Sequence, residues 1–190
     1  MIRDMSDAAS PTPEETFFQE SWCLYFHDPS DENWDFATSY KPIGTLASVR
    51  DFLEVHAAFK HLWSKGMFFL SREHIMPIWE DPHHRRGGCL SFKAMKNEVP
   101  AVWWDLTARL VGETLMRASA PGGSGERITT VSISPKRSYC VLRIWVADET
   151  LQAADLYNLR VPSYSALLYK PHVDKEPALA ETVGAKASAA

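Results

Sequence analysis

The chain has 190 residues, enough for one ordinary domain with its own core, and its 45% hydrophobic and 23% charged residues exclude a wholly disordered protein. Its net charge of −4 argues against a long, sequence-independent contact with a nucleic-acid backbone, although a small basic patch remains compatible with it. Seven tryptophans are many for this length, so either the core is rich in indole rings or some of the rings form a binding surface.

Composition divides the chain into a flexible arm over 1–16, a folded domain over 17–175 and a flexible tail over 176–190. Apolar periodicity and turn residues predict the elements of the domain, with Asn97 and either Thr45 or Ser48 as helix N-caps. Because the strands pair mostly with sequence neighbours, the pattern predicts an α+β fold with a largely antiparallel sheet and helices on one face. In chain order the predicted elements are strands 22–26 and 41–44, a helix over 45–59, strands 67–70 and 89–95, a helix over 99–116, a hairpin of strands 127–134 and 139–146, a helix over 150–159 and a strand over 166–170.

The three cysteines, Cys23, Cys89 and Cys140, are widely spaced and form no C-x-x-C pair, which predicts a reducing compartment rather than a disulfide framework. No apolar run approaches the roughly 20 residues of a membrane span. The N-terminus also lacks the apolar segment of a signal peptide. We therefore expect a cytoplasmic protein, with the nucleus as a second location, and no membrane contact.

Two residue clusters contain side chains or glycines that occur in catalytic, metal or phosphate sites. His83, His84 and Cys89 contain metal-ligand side chains, but adjacent histidines point apart and structural zinc sites need four ligands, so a solvated turn over 81–88 is the favoured interpretation. The glycine-rich segment 122–125 has no Lys-Ser/Thr after it and does not match a phosphate-binding loop. No other catalytic motif is present, so the sequence predicts neither an enzyme nor a metal or cofactor.

Two tryptophans stand in polar surroundings. Trp34 lies among Asp, Glu and Asn residues, and Trp79 directly precedes Glu80. Two indole rings can stack on both faces of a nucleobase, and an adjacent carboxylate can accept the two N–H groups of a guanine edge. A positively charged base such as N7-methylguanine adds cation–π attraction. Taken alone, this pattern leaves open that both tryptophans are structural.

Basic residues cluster in the last hairpin. Lys136 and Arg137 lie in its turn, and Arg143 stands two residues before Trp145, so both of these side chains leave the same face of their strand. Such residues could neutralise a short phosphate chain. A solvated, charged hairpin is the alternative.

These segments together resemble the cap-binding eukaryotic translation initiation factor 4E family over roughly residues 17–175. The similar segments occur in the order that the family has, and it is the ordered set that is specific. They are Trp22–Phe26, Asn33-Trp34, Val49–Leu53, Ile78–Asp81 followed by Arg86–Gly88, Trp103–Glu113, and Ile144-Trp145.

The resemblance implies a curved, mainly antiparallel β-sheet with three α-helices packed on its convex face and the mRNA 5′ cap bound on the concave face. Trp34 and Trp79 would sandwich the 7-methylguanine, Glu80 would accept its N1–H and N2–H, and the Trp79 amide would meet its O6. Trp145 would lie near the N7-methyl group. The implied residues for the cap phosphates are Lys136, Arg137 and Arg143.

The resemblance also implies a dorsal surface formed by Val49, Leu53, Trp104 and Asp105. It would dock a scaffold protein like initiation factor 4G, or a 4E-binding protein, through a helical Tyr-x-x-x-x-Leu-hydrophobic motif. No cofactor is implied, and we expect a monomer.

The chain departs from the family pattern at several positions. Leu53 stands where the family usually has a tryptophan and Cys89 where it usually has an arginine, while Arg143 substitutes for a missing lysine. These departures indicate a divergent paralogue, and kinetoplastid protists, which keep several such proteins, are one candidate source. Two alternatives remain at this stage: a protein-interaction module of the same fold without cap binding, and a nucleotide or cap hydrolase.

Overall fold

The computed structural model describes residues 15–118, 120 and 127–172. The predicted tail over 176–190, nearly all of the predicted arm over 1–16 and the glycine-rich segment 122–125 lie outside the described residues. No helix in the part of the chain that the structure describes is long and apolar enough to cross a membrane.

Seven antiparallel strands form one curved sheet in the order β2-β1-β3-β5-β6-β4-β7, which confirms the predicted fold class. Successive side chains of each strand point to opposite faces, so the sheet has a core face and an open face. In β6, for example, Cys140, Leu142 and Ile144 are buried in the core, whereas Arg143 and Trp145 project from the open face. The strands are β1 (Phe17–His27), β2 (Lys41–Ser48), β3 (Met67–Arg72), β4 (Gly88–Met95), β5 (Ile128–Pro135), β6 (Tyr139–Val146) and β7 (Leu168–Pro171).

Three α-helices accompany the sheet: α1 (Phe36–Ser39), α2 (Val49–Phe59) and α3 (Val99–Val111). The structure confirms Ser48 as the N-cap of α2, in a capping box with Asp51, whereas Thr45 lies within β2. Phe52 of α2 and Trp103 and Leu106 of α3 are buried in the hydrophobic core. These two helices therefore cover the core face and leave the open face to solvent.

Several elements differ from the predictions, and the helix predicted over 45–59 begins at Val49 because β2 continues to Ser48. The helix predicted over 99–116 ends at Val111, and its predicted cap Asn97 makes no capping bond because Glu98 occupies the N-cap position. The predicted third helix over 150–159 is wrong, since this segment forms two short 3-10 turns, Glu149–Leu151 and Ala154–Leu156. The third α-helix is instead the four-residue α1.

Candidate functional site

A cavity of about 480 Å³ opens on the open face of the sheet. Six of the side chains singled out in the sequence line it, from three separate parts of the chain. They are Trp34, Trp79, Glu80, Lys136, Arg143 and Trp145. Arg137 is exposed in the turn between β5 and β6 and is not among the described residues that line this cavity.

Trp34 is held in place by ring stacking. The buried imidazole of His27 at the end of β1 lies 4.2 Å from the Trp34 ring, centroid to centroid, at an interplanar angle of 12°. His27 Nε2 donates a hydrogen bond to the Asn33 carbonyl oxygen at 2.9 Å, which fixes the imidazole. One face of the indole is thus covered while 52% of the Trp34 residue stays exposed, so the other face is available for a ligand.

The polar neighbours of Trp34 act on the backbone. Asp35 caps α1 by accepting from the Thr38 N–H, and Asp31 accepts from the Asn33 N–H at 2.9 Å. The sequence interpretation treated this polar segment only as a sign of exposure. In the structure these side chains also build the turn that presents the ring.

Trp79 and Glu80 lie on the loop between β3 and β4, and the buried Asp81 organises that loop. Its carboxylate accepts hydrogen bonds from Met76 N at 3.0 Å, His83 N at 2.9 Å and His83 Nδ1 at 2.7 Å. Burial opposes ionisation of Asp81, but these hydrogen bonds hold its pKa below the ordinary value. The adjacent carboxylates therefore divide in role: Asp81 points into the protein and Glu80 lines the cavity.

His84 joins the same loop to the sheet. Its Nδ1 donates to the Ile78 carbonyl oxygen at 2.6 Å, and its Nε2 lies 2.8 Å from the Thr129 hydroxyl. The turn expected to be solvated over 81–88 is exposed at Pro82, His83, Arg85 and Arg86, but Asp81, His84, Gly87 and Gly88 are buried. No cluster of three or more metal-ligating side chains occurs among the described residues.

Gly87 must be a glycine for steric reasons, since a Cβ there would lie 1.7 Å from the Val146 carbonyl oxygen. The backbone of this turn therefore packs directly on the end of β6, which carries Trp145. This contact sets the distance between the Trp79 loop and the sheet.

Trp145 forms the floor of the cavity and is fixed on several sides. Its Nε1 donates to the Ser132 hydroxyl at 3.0 Å, and the His84 and His172 rings each lie 5.0 Å from it. Burial lowers the pKa of both histidines, so their rings are neutral at neutral pH and bring no positive charge to the indole.

The charges of the cavity are separated along it. Glu80 lines the part of the cavity that also contains the tryptophans and Tyr40. Burial raises the pKa of Tyr40 to about 12, and the negative charge of Glu80 adds to this shift. Arg143 and Lys136 lie at the hairpin side of the cavity, where Arg143 Nη1 donates to the neutral Ser134 hydroxyl at 3.1 Å. The arrangement can accept hydrogen bonds from a flat base at one end and neutralise an anion at the other.

The predicted dorsal residues lie on the opposite side of the sheet. Leu53 of α2 and Trp104 of α3 are 49% and 40% exposed and line a groove of about 740 Å³. Val49 is also exposed, whereas Asp105 accepts a hydrogen bond from Arg109 one helical turn away. The groove is mainly apolar, with the buried His56 ring 4.7 Å from Trp104.

The chain is similar to known proteins in both sequence and fold. The family model described as eukaryotic initiation factor 4E matches residues 17–181. The chain is 23% identical over 150 residues to eukaryotic translation initiation factor 4E-4 of Caenorhabditis elegans, covering 74% of this chain and 68% of that protein. It is 26% identical over 130 residues to factor 4E-1 of Schizosaccharomyces pombe, covering 65% of this chain and 57% of the relative.

A similar fold occurs in the crystal structure of a schistosome eIF4E complexed with m7GpppG and 4E-BP. The TM-score is 0.60 at 20% sequence identity, with 70% of this chain and 73% of that chain covered.

Proposed function

The chain belongs to the eukaryotic initiation factor 4E family, and from that premise we propose that it binds the 7-methylguanosine 5′ cap of mRNA in translation initiation or its regulation. The observation that carries this proposal is that two exposed tryptophans, Trp34 and Trp79, and one carboxylate, Glu80, line the same cavity. The schistosome relative of this fold is complexed with a cap analogue.

The proposed recognition of the base uses both tryptophans. The methylated guanine enters between the free face of Trp34 and the ring of Trp79, and its positive charge adds cation–π attraction to stacking. The Glu80 carboxylate accepts the guanine N1–H and N2–H, a charge-assisted pair that adenine cannot offer. Trp145, on the cavity floor, lies toward the N7-methyl group.

The proposed phosphate contacts lie at the hairpin end of the cavity. Arg143 donates to a neutral partner, the Ser134 hydroxyl, and no carboxylate among the described side chains lies within ion-pair distance to neutralise its charge. Lys136 is exposed at the rim, and Arg137 stands beside it in the turn. A triphosphate is short, so a local basic patch suffices despite the net charge of −4.

Titration with nucleotides tests the proposal. We expect 7-methyl-GTP to quench tryptophan fluorescence and to bind at least tenfold more tightly than GTP, since a desolvated cation–π contact contributes about 2 kcal/mol. In the Glu80→Gln variant most of the preference for guanine over adenine nucleotides is lost, because the amide carries no charge. Equal affinity of the unchanged protein for 7-methyl-GTP and GTP contradicts the proposal.

We further propose that the dorsal groove docks a helical segment of a scaffold or inhibitory protein. The groove supports this because Leu53 and Trp104 expose apolar surface between two helices, the geometry in which an amphipathic helix binds. The crystal structure of the schistosome protein includes 4E-BP. If the chain bound this partner but no cap, it would be an interaction module of the same fold.

A peptide with the Tyr-x-x-x-x-Leu-hydrophobic motif tests the dorsal site. By isothermal titration, we expect Trp104→Ala to weaken binding of this peptide about tenfold or more, as truncation of an aromatic anchor does at a helix-binding groove. Trp79→Ala is the control, because it removes an exposed indole from the other side of the protein. If Trp104→Ala bound the peptide with unchanged affinity, the peptide would not bind at the dorsal groove.

The remaining assignments follow from the proposed binding role. We propose a binding protein rather than an enzyme, one that acts as a monomer in the cytoplasm and requires no cofactor. Family members are cap-binding factors, which favours this role over a hydrolase.

A further inference from the structure

The open face of the sheet continues beyond the cavity, across β6, β4 and β7. Cross-strand register places Trp145, Cys89 and Lys170 in one row, and Arg143, Ser91 and Leu168 in the next. Lys93, opposite Val141, adds a third row. Tyr139 lies one row further, at the start of β6 beside the hairpin turn. We call the surface formed by Lys93, Tyr139, Arg143, Leu168 and Lys170 the basic strip.

The basic strip carries positive charge without compensating carboxylates. Strands β4, β6 and β7 contain no aspartate or glutamate. Among the described side chains, no carboxylate lies within ion-pair distance of Lys93, Arg143 or Lys170. Burial raises the pKa of the Cys89 thiol, but the charges of Arg143 and Lys170 oppose that shift, so both cations act on one small area.

The strip also offers surfaces for stacking. Lys93 Nζ lies 5.0 Å from the centroid of the half-buried Tyr139 ring, and Leu168 is exposed on β7, two residues before Lys170 and in the same row as Arg143. Proteins that bind single-stranded nucleic acid combine cations along the backbone with such apolar or aromatic platforms. An acidic protein segment could pair with the basic side chains, but it gains less than a nucleobase does from stacking on the Tyr139 ring.

Continuity with the cavity indicates the occupant. Arg143 belongs to both surfaces, since it lines the cavity and stands diagonal to Lys93 on the neighbouring strand, about 7–8 Å away by sheet geometry. A chain that leaves the cavity at Arg143 therefore passes onto the strip without crossing an acidic side chain of these strands. Resting on the proposed cap function, we propose that the basic strip binds the first transcribed nucleotides of capped mRNA, through their phosphates and at least one base.

Binding as a function of RNA length tests this inference. The titration compares m7GpppG with a capped oligonucleotide of five nucleotides, m7GpppNpNpNpNpN, at low salt. We expect the longer ligand to bind the unchanged protein five- to tenfold more tightly. In the double variant Lys93→Gln/Lys170→Gln this gain is lost, the affinity for m7GpppG stays within twofold, and the salt slope for the longer ligand falls by about 1.4, the value for two phosphate contacts on a single strand.

Matched controls separate the strip from general charge. Lys60→Gln/Lys65→Gln removes two exposed lysines that do not lie on the strip strands and should keep the length-dependent gain. Equal affinity of the unchanged protein for short and long capped ligands overturns the inference. Retention of the gain in the Lys93/Lys170 variant also overturns it, and if that variant instead loses binding of an acidic peptide, the strip is a protein site.

A protein that binds no cap can be distinguished from one whose basic strip binds no RNA. If m7GTP does not bind, an uncapped 5′-triphosphate oligonucleotide of the same length tests the strip alone. Weak binding that disappears in the Lys93/Lys170 variant supports the RNA contact without the cap. No binding, or equal binding by both proteins, overturns it.

Discussion

Replacing Trp79 by alanine is expected to lower the affinity for 7-methyl-GTP roughly 5- to 150-fold, because stacking of a base on an aromatic ring contributes about 1–3 kcal/mol. The ring is 56% exposed, so little core packing is lost and the folded structure is retained. Fluorescence from the remaining tryptophans, or calorimetry, measures the change in affinity.

The two sides of the proposed sandwich differ in preorganisation. Trp34 is already stacked on His27, whereas no aromatic ring of the described residues lies in stacking or edge contact with Trp79. The Trp34 side therefore exists before the ligand arrives, and the Trp79 ring gains its partner only from the base. A preorganised surface loses less conformational entropy on binding.

The best control for Trp79→Ala is Trp104→Ala. Trp104 is 40% exposed but lies on the dorsal face, so this variant removes a comparable ring far from the cavity. We expect it to bind 7-methyl-GTP as the unchanged protein does. A twofold or smaller loss in Trp79→Ala, or equal losses in both variants, would be incompatible with base stacking on Trp79.

Strands β4 and β6 could be predicted from sequence because their side chains alternate between buried and more exposed positions. In β6 the buried residues Cys140, Leu142, Ile144 and Val146 alternate with the open-face residues, so both the strand and its orientation follow from period 2. The predicted hairpin of β5 and β6 is confirmed, since the two strands pair in antiparallel register on either side of the turn that contains Lys136 and Arg137.

The helix predicted over 150–159 failed because tertiary contacts outweigh local propensity there. The Tyr157 hydroxyl is buried and donates to the Leu151 carbonyl oxygen at 2.6 Å, while the Asn158 N–H donates to Leu115 at 2.8 Å. The first bond folds the segment on itself, and the second, with the bridge between Met116 and Tyr157, holds the segment against the residues that follow α3. Alanine and leucine spacing alone carries no information about them.

The supporting residues of the site were also beyond the sequence interpretation. His27 precedes Trp34 by seven residues, and their stacking depends on how the intervening turn folds back. The sequence predicts Asp81 only as part of a solvated turn, although Asp-Pro-His is typical of a side chain that accepts from the backbone two residues on. The six lining residues could be predicted because an aromatic ring or a charge in an unusual place is visible in the sequence. The side chains that hold them in position can be identified only once the fold is known.

The buried His56 predicts a specific loss of stability in acid. Burial lowers the pKa of this histidine to about 4, against about 6.5 in an unfolded chain. The neutral form is thus favoured by folding, and its contribution is fully present above pH 6.5 and is lost as the pH falls toward 4. From pH 7.5 to pH 5 the free energy of unfolding should fall by about 2 kcal/mol through this residue.

His56→Phe removes the titration while keeping an aromatic ring against Phe52 and Trp104. The bond from the Thr107 hydroxyl to the Trp103 carbonyl oxygen, at 2.7 Å, leaves Thr107 satisfied without the histidine. Urea denaturation at pH 7.5 and pH 5 should show about 2 kcal/mol less acid destabilisation in this variant than in the unchanged protein. His61→Phe, at an exposed histidine, is the control and should leave the pH dependence unchanged.

Other buried histidines do not affect the difference in acid destabilisation between His56→Phe and the unchanged protein. Burial also lowers the pKa of His84 and His172, and both contribute equally to the acid loss of the variant and of the unchanged protein. Parallel losses in the two proteins would show that His56 accepts a proton in the folded state. Because His56 also lines the dorsal groove beside Trp104, its neutral form is what keeps the floor of the proposed partner site uncharged at neutral pH.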